Sequence, residues 1–506
     1  MRAGHWLAMV YAILVLACAP AMETTIVPSI EAPVAPSSVS PTVERPGEGV
    51  ADAATPLTRQ STTPTGEMLT PTAPTATEIP PPSATSRPSA TSTPRSSPTP
   101  SATATPQPSP EPSATSTPTT TPDLVALPGH TWNMQLVGHN ALEGKGWWAS
   151  MGLHSTCAYV GSYAQPAVAI VDVSDPEKPR LIGSVALEEA AQPVEVRAVP
   201  EHDLLVVADL RQHKLFTFDI SDCTRPELRG SIQLPGSPHE FFLWHDSSRV
   251  LAYAALFDDA PPALVVVDLT DPTRPQEVAR WSTAEEEARG ILHSLSVSPD
   301  GSTAYLALWN GGFLVGEINL PQIRLARDPR GRFSAASFAN THSAVLMDDP
   351  RYVLLASEIF RCPFNGLALA DISDPAHPQI VAEFKLPENR CTDLPPDDPV
   401  YAPHNPTTVG SRAFVSWYAA GVQAIDWSDP VTPRRIGQFV PLTEGTTPRS
   451  LLGGYPVQMF SYPILRGGLI YVVDSVSGLY ILRYTGPGME EVNAVPRAEG
   501  NLSVRP

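Results

Sequence analysis

Val168-Ala169-Ile170-Val171-Asp172-Val173-Ser174-Asp175-Pro176-Glu177-Lys178-Pro179 is a short apolar run that ends in Asp, enters Ser-Asp-Pro, and restarts after a second Pro. The same phrase returns around Asp219-Ile220-Ser221-Asp222-Cys223, with Cys in place of the first Pro, and again as VVVDLTDPTRP, LALADISDPAHP and VQAIDWSDPVTP. Pro presets φ for a tight turn, and Asp and Ser oxygens hold turn amides. The second Pro stands where a strand begins, a place sheets tolerate it on an outer edge. Each copy therefore reads as a third strand, a turn and a fourth strand.

Working outward from these copies, each is preceded by two further apolar strands, such as Ala158-Tyr159-Val160-Gly161 before the first. Four short strands per unit at a period of about 45 residues predict blades of a β-propeller. Third strands fall near residues 168–173, 215–220, 264–269, 313–318, 366–372, 422–427 and 478–484, which makes seven units. The seventh has no room for its own fourth strand. Trp132-Asn133-Met134-Gln135-Leu136-Val137-Gly138 precedes the first unit and is expected to supply it, closing the ring. A two-sheet sandwich or a pair of smaller domains is the competing arrangement.

The rest of the chain reads differently. The 506 residues carry a formal net charge of −19 and 58 prolines, and from Glu23 to Asp123 there is no aromatic residue. Such a Pro/Ser/Thr-rich stretch cannot bury enough apolar surface to offset its ordering entropy, so 23–123 is expected to be a disordered linker. Residues 1–22 read as an export signal: Leu7 to Ala17 is apolar, too short for an ordinary spanning helix, and ends in Val15-Leu16-Ala17-Cys18. That ending resembles a bacterial lipoprotein signal, which implies lipidation at Cys18, an anchor in the membrane and a globular part on the outer face of the cell. Cleaved secretion and an uncleaved anchor are the alternatives. The propeller is assigned to 124–487, and 488–506 to a disordered tail. An acidic chain without a basic block argues against a nucleic-acid partner, and the chain is expected to be a monomer.

The repeats resemble those of the LVIVD-repeat propeller proteins, through the five Asp-x-[Ser/Thr]-Asp turns, the opening NMQLVGHN and the closing GLIYVVDSVSGLYILRYTG. The resemblance spans 132–486 and implies a fold and an exported location, but no reaction. More distantly the layout is similar to the selenium-binding protein and methanethiol oxidase propellers, which implies a copper site built from axial histidines.

Aligning the units on their second strands puts one residue at the start of each first strand. In four consecutive units it is His: His239, His293, His342 and His404. Val194 and Val457 stand there in the second and seventh units, and about Ala149 in the first. His154 aligns with a turn on the opposite face. First strands line a propeller's axis, and Asp209, Glu358 and Asp474 end second strands on the same face, so the four imidazoles and Glu358 form a candidate site for copper or zinc. Duplication of one histidine bonded to a neighbouring carbonyl gives the same row without a ligand role, so both readings stand. Trp309 and Trp417-Tyr418 end second strands beside the row, to line a funnel or cap a blade. Cys362 and Cys391 are expected to form a disulfide, and Cys157 and Cys223 to be buried thiols. No Gly-x-Ser-x-Gly, phosphate-loop or HExxH motif is present. The expected function is a surface-tethered module that binds a protein or small molecule on a propeller face. The alternative is a metal-dependent oxidoreductase of copper type that uses the histidine row.

Overall fold

A computed structural model describes residues 126, 128–187, 191–257, 263–390, 399–442 and 455–503. The export signal, Cys18, the linker and Cys391 lie outside the described residues. Seven antiparallel sheets follow one another along the chain, an all-β, seven-bladed β-propeller. The innermost strands begin at Trp148, Pro193, Pro238, Leu292, Thr341, Pro406 and Ile464.

Burial follows position in the blade. The first two strands of blade 2, Pro193–Val199 and Leu204–Asp209, are buried at every residue, whereas its outermost strand, Glu227–Gln233, is mostly exposed. Inner strands are covered by sheets on both faces and so read as continuous apolar runs, while outer strands meet water.

The repeated turns do structural work. Asp172 Oδ1 accepts the Ser174 amide at 2.9 Å, its Oδ2 accepts Arg180 Nη2 at 2.6 Å, and the Asp175 carbonyl accepts the Lys178 amide at 3.0 Å. Asp219, Asp268, Asp371 and Asp426 hold the amides of Ser221, Thr270, Ser373 and Ser428 in the same way. These turns also lean on the preceding blade. A Cβ at Gly138, on the outermost strand of blade 7, would lie 2.1 Å from the Pro176 carbonyl of the first blade's turn.

The ring closes as the sequence requires. Met134–Asn140 pairs antiparallel with Gly478–Tyr484 as the outermost strand of blade 7. Thr131–Trp132 also adds a fifth strand to blade 6. Two features differ from expectation. The segment from 488, expected to lack order, forms a short helix, Met489–Ala494, and then runs back against the blades as far as Ser503.

The second difference concerns the cysteines. Cys157 and Cys223 are joined in a disulfide, not separate thiols. Cys223 replaces the turn Pro of blade 2, the residue placed against the preceding blade, and there it meets Cys157 of blade 1's second strand. Cys362 is disulfide-bonded as well. The Cys157–Cys223 bridge closes a sequence separation of 66 residues. By loop-closure entropy it contributes about 4 kcal/mol. The Cys157→Ala/Cys223→Ala variant is expected to lose most of that in denaturant unfolding. An unchanged midpoint and slope would contradict the assignment.

Candidate metal centre

The axial side chains owe their direction to a defect in the first strands. In blades 3, 4 and 5 the pairing with the second strand slips by one residue between Pro238 and Glu240, Leu292 and Ser294, and Thr341 and Ser343. The skipped residues are His239, His293 and His342. A bulge re-aims a side chain and breaks the alternation of faces, so the following residue also reaches the axis. His404 sits just before the first strand of blade 6, Pro406–Val409.

The structure brings the row together. Ring centroids are 4.5 Å apart for His239 and His293, 4.0 Å for His293 and His342, and 4.2 Å for His342 and His404. His293, His342 and His404 are buried, His239 only partly. Two carboxylates face the middle of the row. His342 Nε2 lies 3.7 Å from Glu240 Oε1 and 3.8 Å from Glu358 Oε2, and His404 Nε2 lies 3.7 Å from Glu358 Oε1. Glu240, His293 and His342 form one set of mutually close donor atoms, and His342, Glu358 and His404 a second, with all atoms of a set within 4.8 Å of one another. His239 belongs to neither.

Hydrogen bonds on the far side of two of the rings, His404 and His342, fix their tautomers. His404 Nδ1 lies 2.6 Å from the Phe460 carbonyl, which only accepts, so the proton is on Nδ1 and the Nε2 lone pair is bare. His342 Nδ1 lies 2.6 Å from Ser343 Oγ, and Ser343 donates to the His404 carbonyl at 3.0 Å, so Ser343 accepts from Nδ1–H. The His342 Nε2 lone pair is therefore bare too, and this atom is buried without a hydrogen-bond partner. The carbonyl bond of the duplication reading thus exists at His404, and it is also the bond that orients a metal-binding imidazole.

Burial holds all four imidazoles neutral: it lowers His239 to about 4 and His404 to about 3, and pulls His293 and His342 well below the ordinary value. Burial also pushes Glu358 up to about 8, against the hydrogen bond from the Tyr418 hydroxyl, and raises Glu240 well above the usual carboxylate range. Among the described residues neither Glu240 nor Glu358 is ion-paired with a lysine or arginine.

The remaining expected residues have other positions. Asp209 Oδ1 accepts the amides of Gln192, Arg211 and Gln212, and Asp474 accepts those of Gln458, Val476 and Ser477. Both tie loops together and stand apart from the row. Trp417 is fully buried and donates to the Tyr401 carbonyl, capping a blade. Trp309 stacks on His293 at 5.0 Å. His154 lies against Asp203 at 3.4 Å, outside the row. Sequence reasoning missed Glu240, which follows His239 directly, because strict alternation sends it to the opposite side.

A family model described as LVIVD repeat matches residues 158–186, 252–283 and 363–385. No curated protein matches this chain. Among solved structures, Kuenenia stuttgartiensis hydrazine synthase aligns with a TM-score of 0.44 and 13% identity over 67% of this chain and 96% of that chain. A chain of a mitotic checkpoint complex crystal structure aligns with a TM-score of 0.43 and 7% identity over 71% of this chain and 92% of its own length. None of these shows a likeness to selenium-binding protein or methanethiol oxidase.

Proposed function

Proceeding from a seven-bladed β-propeller that carries LVIVD repeats, an architecture that suggests a binding module, we propose that its axial site binds one divalent transition-metal ion. The observation that carries this reading is the confrontation of bare lone pairs. Nε2 of His342 and of His404 each face carboxyl oxygens across a gap that no hydrogen bond closes.

The separations of 3.7 and 3.8 Å are too long for hydrogen bonds. They lie near the edge, about 3.4 Å, of a tetrahedron with metal–ligand distances of about 2.1 Å. A divalent ion would balance the charges of Glu240 and Glu358 and engage both lone pairs. Imidazole with carboxylate suits zinc, copper(II) or iron(II), and does not suit copper(I), which prefers thiolate or thioether. His342, His404 and Glu358 are the ligands proposed nearest the ion, with His293 and Glu240 on its other side.

The N-terminal sequence supports a second part of the proposal, that the module is held outside the cytoplasm by lipid on Cys18. Metabolic labelling with a palmitate analogue tests it: wild type should incorporate label and Cys18→Ser should not, and a label retained in Cys18→Ser would refute it.

The oxidoreductase reading has support of its own. Two histidines and one carboxylate fill three positions and leave others for an exogenous ligand, the arrangement of many reactive metal sites. Equilibrium dialysis of untagged protein against zinc and copper(II) tests the binding itself. One ion per chain is expected, lost in His342→Ala/His404→Ala, and a chain that takes up neither metal refutes both readings.

A further inference from the structure

Behind the histidines the axis carries a second polar layer, and part of it comes from outside the blades. The segment Pro496–Ser503 crosses the inner strands. Arg497 donates to the Leu153 and Ala198 carbonyls at 2.9 and 3.3 Å, and Ala498 exchanges amide bonds with Leu465. The Gly500 amide donates to Thr407 Oγ1 at 3.0 Å, and a Cβ on Gly500 would lie 2.1 Å from the Pro406 carbonyl, so only glycine passes there. Leu243 donates to the Asn501 carbonyl and accepts from the Ser503 amide. One short segment thereby touches blades 1, 2, 3, 6 and 7.

Its charged residues are buried. The Glu499 side chain is 0% exposed, and its two oxygens face Arg497 Nη2 at 2.7 Å and Arg197 Nε at 3.5 Å. The Arg197 side chain, 1% exposed, is also in close contact with Glu195, which accepts Asn501 Nδ2 at 3.3 Å. The guanidinium of Arg197 lies 5.2 Å from the Tyr462 ring centroid. On the other side of that layer, the Tyr462 hydroxyl reaches Glu240 Oε2 at 3.2 Å. Arg197 is thus one side chain removed from Glu240, and its positive charge already acts on that carboxylate. Two acids hold it away: Glu195 from its own strand and Glu499 from the crossing segment.

We propose that Glu499 is a positioning residue for the metal site: by engaging Arg197 it keeps the guanidinium from pairing with Glu240. This rests on the metal-binding reading above. Without the Glu499 charge, Arg497 loses its acidic partner, Arg197 keeps only Glu195, and Arg197 is released toward Glu240. The ion then competes with an internal cation and meets a more positive channel. Removing a residue that acts through another in this way weakens metal binding by about 10- to 100-fold.

The test is zinc and cobalt(II) binding to full-length protein, with cobalt(II) absorption reporting the ligand field. Glu499→Gln keeps the shape and removes the charge. Leu502→Asn keeps the Glu499 charge, adds none, and unseats the segment at Leu243, so one informative variant remains if the other fails to fold by circular dichroism. Each folded variant is expected to bind both ions at least tenfold more weakly than wild type, with an altered cobalt spectrum. A lower melting temperature with unchanged affinity and spectrum would make the segment merely structural and overturn the proposal. Wild-type protein that binds neither ion would overturn the metal reading itself, and this one with it.

Discussion

Replacing His342 by alanine is expected to weaken zinc binding by roughly 1,000-fold, which corresponds to about 4 kcal/mol. His342 is the one residue common to both sets of donor atoms, and its Nε2 stands between Glu240 and Glu358. Its loss breaks both sets at once. His239→Ala is the control. His239 shares the repeat position and meets His293 edge-on in the row, yet belongs to neither set, so its replacement is expected to change affinity by less than about tenfold. Competition titration against a chromophoric chelator measures both. Equal losses in the two variants would mean that the row acts as a stack of rings and that His342 has no special place.

Zinc is expected to invert the pH dependence of stability over the neutral range. In the metal-free protein Glu358, at about 8, and Glu240, raised well above 4.5, hold protons in the folded chain that the unfolded chain releases near 4.5. The folded state then binds more protons, so stability is full below 4.5 and falls as pH rises toward 8. The histidines act in the other direction. Their folded values, about 4 for His239 and about 3 for His404, lie below the ordinary 6.5, so their contribution is full above 6.5 and is lost as pH falls. Metal-free protein is therefore expected to be most stable near about pH 6. Zinc needs both carboxylates ionised and releases their protons, so its affinity rises with pH and the stability maximum moves upward. Thermal melts from pH 4 to 9 with chelator and with zinc read this directly. Superimposable profiles would contradict it, as would zinc binding without proton release in calorimetry across buffers of different ionisation enthalpy.

The architecture was legible because the Asp-Pro turns mark the same place in blade after blade. Once Asp172, Asp219, Asp268, Asp371 and Asp426 are aligned, strand count and ring closure follow from the chain itself. The disulfide was not legible from spacing, since 66 residues separate its cysteines. It becomes so only when the turn of one blade is known to rest on the blade before, which gives Cys223 at a Pro position its meaning. Glu240 was hidden by a different cause. Period-two reasoning sends neighbours to opposite faces, and the slip between Pro238 and Glu240 sends both His239 and Glu240 to the axis. The segment 496–503 has neither repeat nor apolar periodicity. Its order comes from hydrogen bonds to five blades and from the buried Arg197–Glu499 ion pair, partners that exist only once the ring has closed.

Anomalous diffraction at the zinc edge, from crystals of untagged protein equilibrated with zinc, tests the central claim most directly. A single peak within coordination distance of His342 Nε2 and His404 Nε2, bounded by the Glu358 carboxylate and absent in His342→Ala crystals, is the result predicted. Unchanged, metal-free spacing between these side chains, with zinc only at surface sites or nowhere, would contradict it.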